Sequence, residues 1–383
     1  MRLFWSSLTL VFFLVLFGCT NPMMPSDGNT PADGGTVNSD GAVSTPLRPL
    51  PSSQFVYLKK LSSTSSAIYS YDWSTGKSRL IHDLDKASGS FPNIALSPDR
   101  KWIALTAGFR KTKEEIKYGT MGMHSLWKIS VDGKQVIRVS LPTPKPGFGR
   151  CVVAGDCSGD DMTCNTSLQS CLYKNYTQYI QMPAWTSDQK SIWVESSAFW
   201  TNNGGDLDGA FGFFKYDVKT GKRTYFVFER GSDSPVPHPS KNYLIALHRY
   251  YGVKSHSLSP FDSTGRVVLE ETDDFSFPIV SGFLRWKSDG SGFFFLGKAK
   301  WRGDEGLSIL FFHLGKQSVE QIVPVVDTED TALKRFAVSP DGKSIVLELY
   351  NSKEKTSDLY RYDTRTKRLV ALTKDGKSSD PSW

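Results

Sequence analysis

Four cysteines crowd into 21 residues, "CVVAGDCSGDDMTCNTSLQSC", at Cys151, Cys157, Cys164 and Cys171, with five, six and six residues between them. Thiols this dense either oxidise to disulfides or bind a metal as thiolates. A four-thiolate zinc site draws its ligands from C-x-x-C pairs, and none occurs here, so the spacing points to two disulfides. Elsewhere "NNGGDLDG" (202–209) sets Asp206 and Asp208 just before Gly209. That is half of a calcium loop without its distal glutamate, and it reads first as a plain Asp/Asn/Gly turn. The six histidines (82, 124, 238, 248, 256 and 313) lack metal-ligand spacing, and His248 and His313 fall in strand-like runs as packing residues. There is no G-x-S-x-G elbow. These patterns name no catalytic residue, no resident metal and no cofactor.

Dispersed residues need a framework to bring them together, and the chain contains a repeat. One phrase recurs as "IALSPDRKWIAL" (94–105), "PAWTSDQKSIWV" (183–194), "VPHPSKNYLIAL" (236–247), "LRWKSDGSGFFF" (284–295) and "FAVSPDGKSIVL" (336–347). Each is an apolar run, a polar tight turn and a second apolar run, which is a hairpin signal. A second hairpin phrase follows each first one, as in "FFKYDVKTGKRTYFVF" (213–228) and "LYRYDTRTKRLVALT" (359–373). Two hairpins make a four-stranded unit, with strands a, b, c and d. The a–b turns sit near 98, 187, 240, 288 and 340, separated by 89, 53, 48 and 52. A four-stranded propeller blade repeats every 40 to 50 residues or so, and the 89 is one blade plus an insertion of roughly 40. A long β-sandwich would not repeat one phrase at a near-fixed interval, which leaves an all-β propeller as the expected fold.

The stretch "SPDGKSIVLELYNSKEKTSDLYRYDTRTKRLVALTKDGKSSDPSW" resembles the repeat of TolB-like (PD40) β-propellers. The resemblance runs from about 54 to 383 and is weakest at 234–270, where Pro239-Ser240-Lys241 stands for the turn. The N-terminal segments 55–60, 67–77 and 78–83 supply b, c and d phrases without an a phrase, and the final "DPSW" is an a phrase alone. The expectation is six four-stranded antiparallel blades, closed by pairing of the C-terminal strand with the N-terminal blade. TolB carries an extra N-terminal domain absent from this sequence, so its partners do not carry over. The cysteine cluster lies inside an insertion at 141–180 and resembles small four-cysteine modules of secreted bacterial proteins. That resemblance implies Cys151–Cys164 and Cys157–Cys171, with two other connectivities open.

Propeller turns alternate between two faces. Here the a–b and c–d turns are short, while the long segments (108–124, 141–180, 198–210, 250–255, 271–280 and 298–306) are all b–c or d–a connections. They carry Phe109, Arg110, Trp200, Asp206, Asp208, Tyr250, Tyr251, Trp301 and Arg302, mostly residue types favoured at recognition surfaces. The expected function is binding of a protein or glycan ligand by this long-loop face. The alternative is a propeller enzyme, such as a polysaccharide lyase or cyclase, with a site on the same face. An enzyme would need converging titratable groups with shifted pKa values.

The first residues concern location. Arg2 precedes a ten-residue run, Leu8–Phe17, too short to span a bilayer and of the right length for a secretory signal. Leu16-Phe17-Gly18-Cys19 resembles a bacterial lipobox, which implies a signal peptide over 1–18 and a lipidated Cys19; an ordinary cleaved signal is the alternative. Thr20 is similar to the pattern sorted to the outer membrane, facing periplasm or cell surface. Residues 19–53 read as a disordered tether rich in Pro, Gly, Ser and Asp, reaching roughly 30 Å as a flexible coil. The membrane is thus an expected partner through lipid. Nucleic acid is not, because the net charge of +7 is spread out and no Lys/Arg run exceeds two.

Overall fold

The computed structural model describes residues 46–383 apart from 63–64, 85–92, 108–124, 141–161, 166–169, 174–176, 202–206, 228–231, 241–242, 250–255, 263–278, 298–305, 317, 325 and 327. Regular structure among these residues is entirely β. In chain order the strands are β1 (Gln54–Lys60), β2 (Ser66–Asp72), β3 (Lys77–Asp83), β4 (Asn93–Leu96), β5 (Trp102–Ala107), β6 (Ser125–Ser130), β7 (Val136–Ser140), β8 (Met162–Asn165), β9 (Ser170–Tyr173), β10 (Thr177–Trp185), β11 (Ser191–Thr201), β12 (Leu207–Asp217), β13 (Arg223–Val227), β14 (Ser232–Pro237), β15 (Tyr243–Arg249), β16 (His256–Asp262), β17 (Ile279–Trp286), β18 (Gly292–Gly297), β19 (Ser308–His313), β20 (Ser318–Val323), β21 (Thr331–Val338), β22 (Ser344–Asn351), β23 (Thr356–Asp363), β24 (Arg368–Ala371) and β25 (Ser378–Ser382).

They form antiparallel propeller blades in the order β25-β1-β2-β3, β4 to β7, β10 to β13, β17 to β20 and β21 to β24. β8 and β9 make a separate hairpin inside the insertion. The expectation of six four-stranded blades is corrected on one point. Among the described residues five sheets have four strands, and β14-β15-β16 has three. This is the degenerate repeat. Pro260 lies within β16 and removes a donor from the strand that would have to pair on both edges. The residues expected to supply its outer strand, 263–270, fall outside the described residues.

The repeat's turn chemistry explains why the hairpins form where they do. In three a–b turns a hydroxyl bonds the aspartate two residues on: Ser97 to Asp99 (2.6 Å), Thr186 to Asp188 (2.7 Å) and Ser339 to Asp341 (2.6 Å). The same hydroxyl accepts the N–H of Trp102, Ser191 or Ser344, where the next strand begins. The fourth turn residue is left-handed, with φ of 61° at Arg100, 61° at Gln189, 69° at Gly290 and 69° at Gly342. Glycine suits that region; Arg100 adopts it while its guanidinium donates to the carbonyls of Leu50, Pro51 and Gln54. In the c–d turn of the second blade only glycine fits. A Cβ on Gly133 would lie 2.0 Å from the Ile81 carbonyl oxygen.

The core lies between blades. Val56, Leu58 and Ile68 meet Ile94, Ile103 and Leu105 across one blade boundary. Phe294, Leu296 and Phe311 meet Phe336, Ile345 and Leu347 across another. Each such side chain contributes about 1.5–3 kcal/mol on burial. The innermost strands touch in the sequence β25, β4, β10, β14, β17, β21 and back to β25. β25 lies antiparallel beside β1, with Val56 opposite Ser382 and Lys59 opposite Ser378, and the register shifts between them. Trp383 packs with Trp73 at 4.5 Å and Phe55 at 5.9 Å between ring centroids, and its Nε1 donates to the Ser52 carbonyl at 3.3 Å.

Candidate functional site

The structure divides the expected site residues. Phe109, Arg110, Asp206, Tyr250, Tyr251, Trp301 and Arg302 fall outside the described residues, as do Cys19, Cys151 and Cys157. Trp200 and Asp208 do not sit in an irregular loop. β11 and β12 pair continuously from Ser191 opposite Asp217 to Thr201 opposite Leu207, which places Trp200 directly across from Asp208. Segment 198–210, expected as a loop, is therefore mostly a β-ladder. Its Asn/Gly/Asp composition reads as loop, whereas "SSAFWT" and "DGAFGF" support strand. β11 has 11 residues where β5 and β18 have 6 each, so this blade extends farther on the b–c side. In the β8–β9 hairpin the backbone register sets Cys164 opposite Cys171.

Of the two histidines read as packing residues, His248 lies in β15. His313 lies in β19 and shares a 3.1 Å hydrogen bond with Glu320 on the outer strand. No group of three or more His, Cys, Asp and Glu among the described residues is arranged to hold a metal ion.

Sequence reading missed a cluster of buried charges on β21, β22 and β25. Arg335 of β21 pairs with Asp380 of β25, and its guanidinium lies 5.1 Å from the Phe283 ring centroid. The other oxygen of Asp380, Oδ2, accepts the backbone N–H of Ile94 at 2.9 Å. The Asp380 N–H donates to Glu348 Oε2 at 2.9 Å, and the Ser357 hydroxyl donates to Glu348 Oε1 at 3.2 Å. Asp380 is 5% exposed and Glu348 7%. Asp380 reaches these partners through a left-handed backbone, φ 48°, at the register shift against β1.

Each charge answers to its surroundings. Burial, only partly offset by the Arg335 charge, pushes the Glu348 carboxyl above its ordinary range. Burial disfavours the Arg335 charge, yet the neighbouring Asp380 and Glu348 outweigh it and the net direction is up. Arg285 of β17 is pushed down, chiefly by burial. The available signal in the sequence was a charge inside an otherwise apolar run, as in "SIVLELY" and "GFLRW". A second case is Glu195 in "SIWVES", at the position equivalent to Glu348; it is 6% exposed and accepts from Gln181 Nε2 at 2.7 Å.

The architecture is that of a β-propeller, and comparison with solved structures finds TolB and other proteins of low identity. TolB from Acinetobacter baumannii is 13% identical, with a TM-score of 0.57, covering 86% of this chain and 66% of its own. An oligogalacturonate lyase in complex with manganese is 11% identical, with a TM-score of 0.40, covering 85% of this chain and 88% of its own. An acylaminoacyl peptidase from Pyrococcus horikoshii is 14% identical, with a TM-score of 0.46, covering 85% of this chain and 45% of its own. No protein-family model and no curated protein matches the chain. The TolB likeness shows a TolB-like propeller fold; the chain spans about two thirds of that TolB structure.

Proposed function

We propose that this chain is a bacterial envelope lipoprotein whose propeller binds a protein or glycan ligand through its b–c and d–a side. In this reading residues 1–18 are a signal peptide, Cys19 carries lipid at the outer membrane, and 19–53 form the tether. Residues 54–383 form a ring of six blades closed by β25, and the 141–180 insertion is stapled by two disulfides. The cyclic contacts of the innermost strands and the β25–β1 pairing support the closed ring.

The observation that carries the binding reading is the inequality of the two ends of the blades. The a–b and c–d ends are tight turns sealed by Ser, Thr and Asp side chains. At the opposite end the β11–β12 hairpin is prolonged with Trp200 and Asp208 paired on it. The converging charges around Glu348 favour the enzymatic alternative, a lyase or cyclase, because buried groups with displaced pKa values are the raw material of acid–base chemistry. The test is a photo-crosslinking amino acid placed at Trp200 or, on the sealed side, at Lys343, in cells producing the full chain. The binding reading expects adducts from position 200 only. Equal labelling at both positions, or none at 200, overturns it. Loss of radiolabelled palmitate on Cys19→Ser checks the anchor, and unchanged labelling refutes it.

A further inference from the structure

The large apolar side chains left exposed are not scattered. Among the described residues they are Leu61, Leu80, Val136, Ile137, Leu369 and Val370. All but Leu61 lie on three outer strands: β3 of the first blade, β7 of the second and β24 of the sixth. These blades are neighbours, since the innermost strands β21, β25 and β4 touch in that order. Side chains tie them together near the c–d turns. Arg79 Nη2 donates to the Val131 carbonyl at 3.0 Å, and the Arg361 guanidinium lies 5.4 Å from the Trp73 ring centroid. Val136, Ile137, Leu369 and Val370 fall within the first three residues of their strands, so the patch borders the end that holds the a–b and c–d turns. Exposed cations accompany it: Lys77 and Arg79 on β3, Lys134 before β7, and Lys367 and Arg368 where β24 begins. The nearby carboxylates are taken up by their own turns. Asp132 accepts from the Ser130 hydroxyl and the Lys134 N–H, and Asp363 accepts the N–H groups of Arg365 and Thr366. β20, the outer strand of the fifth blade, instead exposes Ser318, Glu320 and Gln321. Charge on an edge strand guards it against pairing with another chain, which accounts for the lysines and arginines. It does not account for the leucines, valines and isoleucine exposed beside them.

The chain enters the propeller at this same end. Leu50 is buried, and its N–H donates to the Arg100 carbonyl, in the a–b turn of the second blade, at 2.9 Å. The Arg100 guanidinium donates in return to the carbonyls of Leu50 and Pro51. The Ser53 carbonyl accepts the N–H of Trp73, in the c–d turn of the first blade, at 3.2 Å. Arg48 and Pro49, just before Leu50, are exposed. The entry point is thus pinned beside the apolar and basic patch. Cys19 lies about thirty positions earlier, a span of roughly 30 Å for a flexible coil. Lipid on Cys19 would hold this end close to a bilayer at high effective concentration, where weak contact suffices to orient the domain. Each cation near an anionic lipid surface adds about fivefold to that contact, and apolar neighbours enter the interface beside it. We infer that the outer rim of the sixth, first and second blades rests on an anionic phospholipid surface, with Lys77, Lys134 and Lys367 among the headgroups and Leu80, Ile137 and Val370 entering the interface. The b–c and d–a side then points away from the membrane. This orientation rests on the proposed lipid anchor at Cys19.

The experiment reconstitutes the full lipidated chain in phosphatidylcholine vesicles with and without phosphatidylglycerol. A photo-crosslinking amino acid replaces Val370, Glu320 on the fifth blade or Trp200 at the opposite end. Phospholipid adducts are counted by mass spectrometry, apart from any protein or glycan adducts. In the anionic vesicles position 370 is expected to give about fivefold more phospholipid adducts than 320 or 200. Most of that excess should vanish in pure phosphatidylcholine or in high salt. Lys367→Gln with Arg368→Gln should lower the yield at 370 by about fivefold or more. Both side chains are exposed, so the melting temperature should stay where it is. Equal phospholipid yields at 370 and 320, the largest yield at 200, or a yield at 370 indifferent to phosphatidylglycerol and to the double substitution overturns the docking. Vesicle flotation separates the two readings. A chain that does not float with the vesicles disproves the anchor and the orientation together, whereas one that floats and labels equally at 370 and 320 disproves the orientation alone.

Discussion

Two arcs of the inner ring solve one problem by different chemistry. Each innermost strand has an edge whose N–H and C=O groups find no strand beyond. Between the second and third blades neutral groups satisfy it. Asn93 Oδ1 accepts the Met182 N–H at 3.3 Å, and Trp185 Nε1 donates to the Ala95 carbonyl at 3.0 Å. Trp286 does the same for Val236 at 3.0 Å. Between the sixth blade and the strands beside it, buried ions take over through Arg335, Asp380 and Glu348. Neutral ties are cheap and insensitive to pH. Ionic ties gain orientation and charge at a desolvation cost, and they fail badly when one partner is lost.

The comparison can be broken or sharpened in order of effect. Deleting 378–383 removes β25, the Asp380 cluster and Trp383 together. The melting temperature should fall by about 10 °C or more, or the chain should not fold, since several buried contacts go at once; an unchanged melt would show that β25 contributes nothing to holding the ring. Asp380→Ala leaves Arg335 unpaired, and a urea titration should show a loss of about 3–5 kcal/mol. Trp185→Phe keeps most of the buried ring and drops one neutral tie, so it should cost about 1 kcal/mol. If Trp185→Phe costs as much as Asp380→Ala, the distinction between the arcs is void. Glu348→Gln tests pH. The folded carboxyl titrates above its unfolded range, so the native state holds a proton that the unfolded chain releases. Wild-type stability from this group therefore declines as pH rises from the ordinary carboxylate range toward the folded value. Denaturation from about pH 4 to about pH 8 should show the difference moving in favour of Gln. The turn aspartates, held low by hydrogen bonds as at Asp341, lose stability in the opposite direction but cancel between the two proteins. Smallest of all, Lys353→Met removes an exposed pair with Asp330 and should change stability by at most about 1 kcal/mol.

The blades were legible because their turns are local. A hydroxyl, an aspartate and a left-handed residue within six positions announce three of the a–b hairpins, and Arg100 and Gln189 keep the frame where glycine is missing. The degenerate unit at Pro239 was legible as a weakness, and it is where the fourth strand is not seen among the described residues. Segment 198–210 was misread because its Asn, Gly and Asp residues read as loop, whereas the register up to Thr201 opposite Leu207 depends on pairing rather than composition. The axial cluster was invisible for a different reason. Arg335 and Glu348 meet across the β21–β22 hairpin, but Asp380, from the C-terminal strand, joins them only when the sixth blade meets the first, and no periodicity along the chain encodes that meeting.

The bond between Trp383 and Ser52 joins residues 331 positions apart. β1, β2 and β3 are made as a sheet whose β1 edge is naked until β25, some three hundred residues later in the chain, has also been made. During that interval the edge is open to any extended peptide, including the same strand of another molecule. Closure over such a span is slow, since the entropy of a long loop is spent before the contact rewards it. The vulnerable moment for this protein is therefore its synthesis. A chaperone that shields Phe55 to Lys60 should raise the yield of folded molecules without changing their final stability.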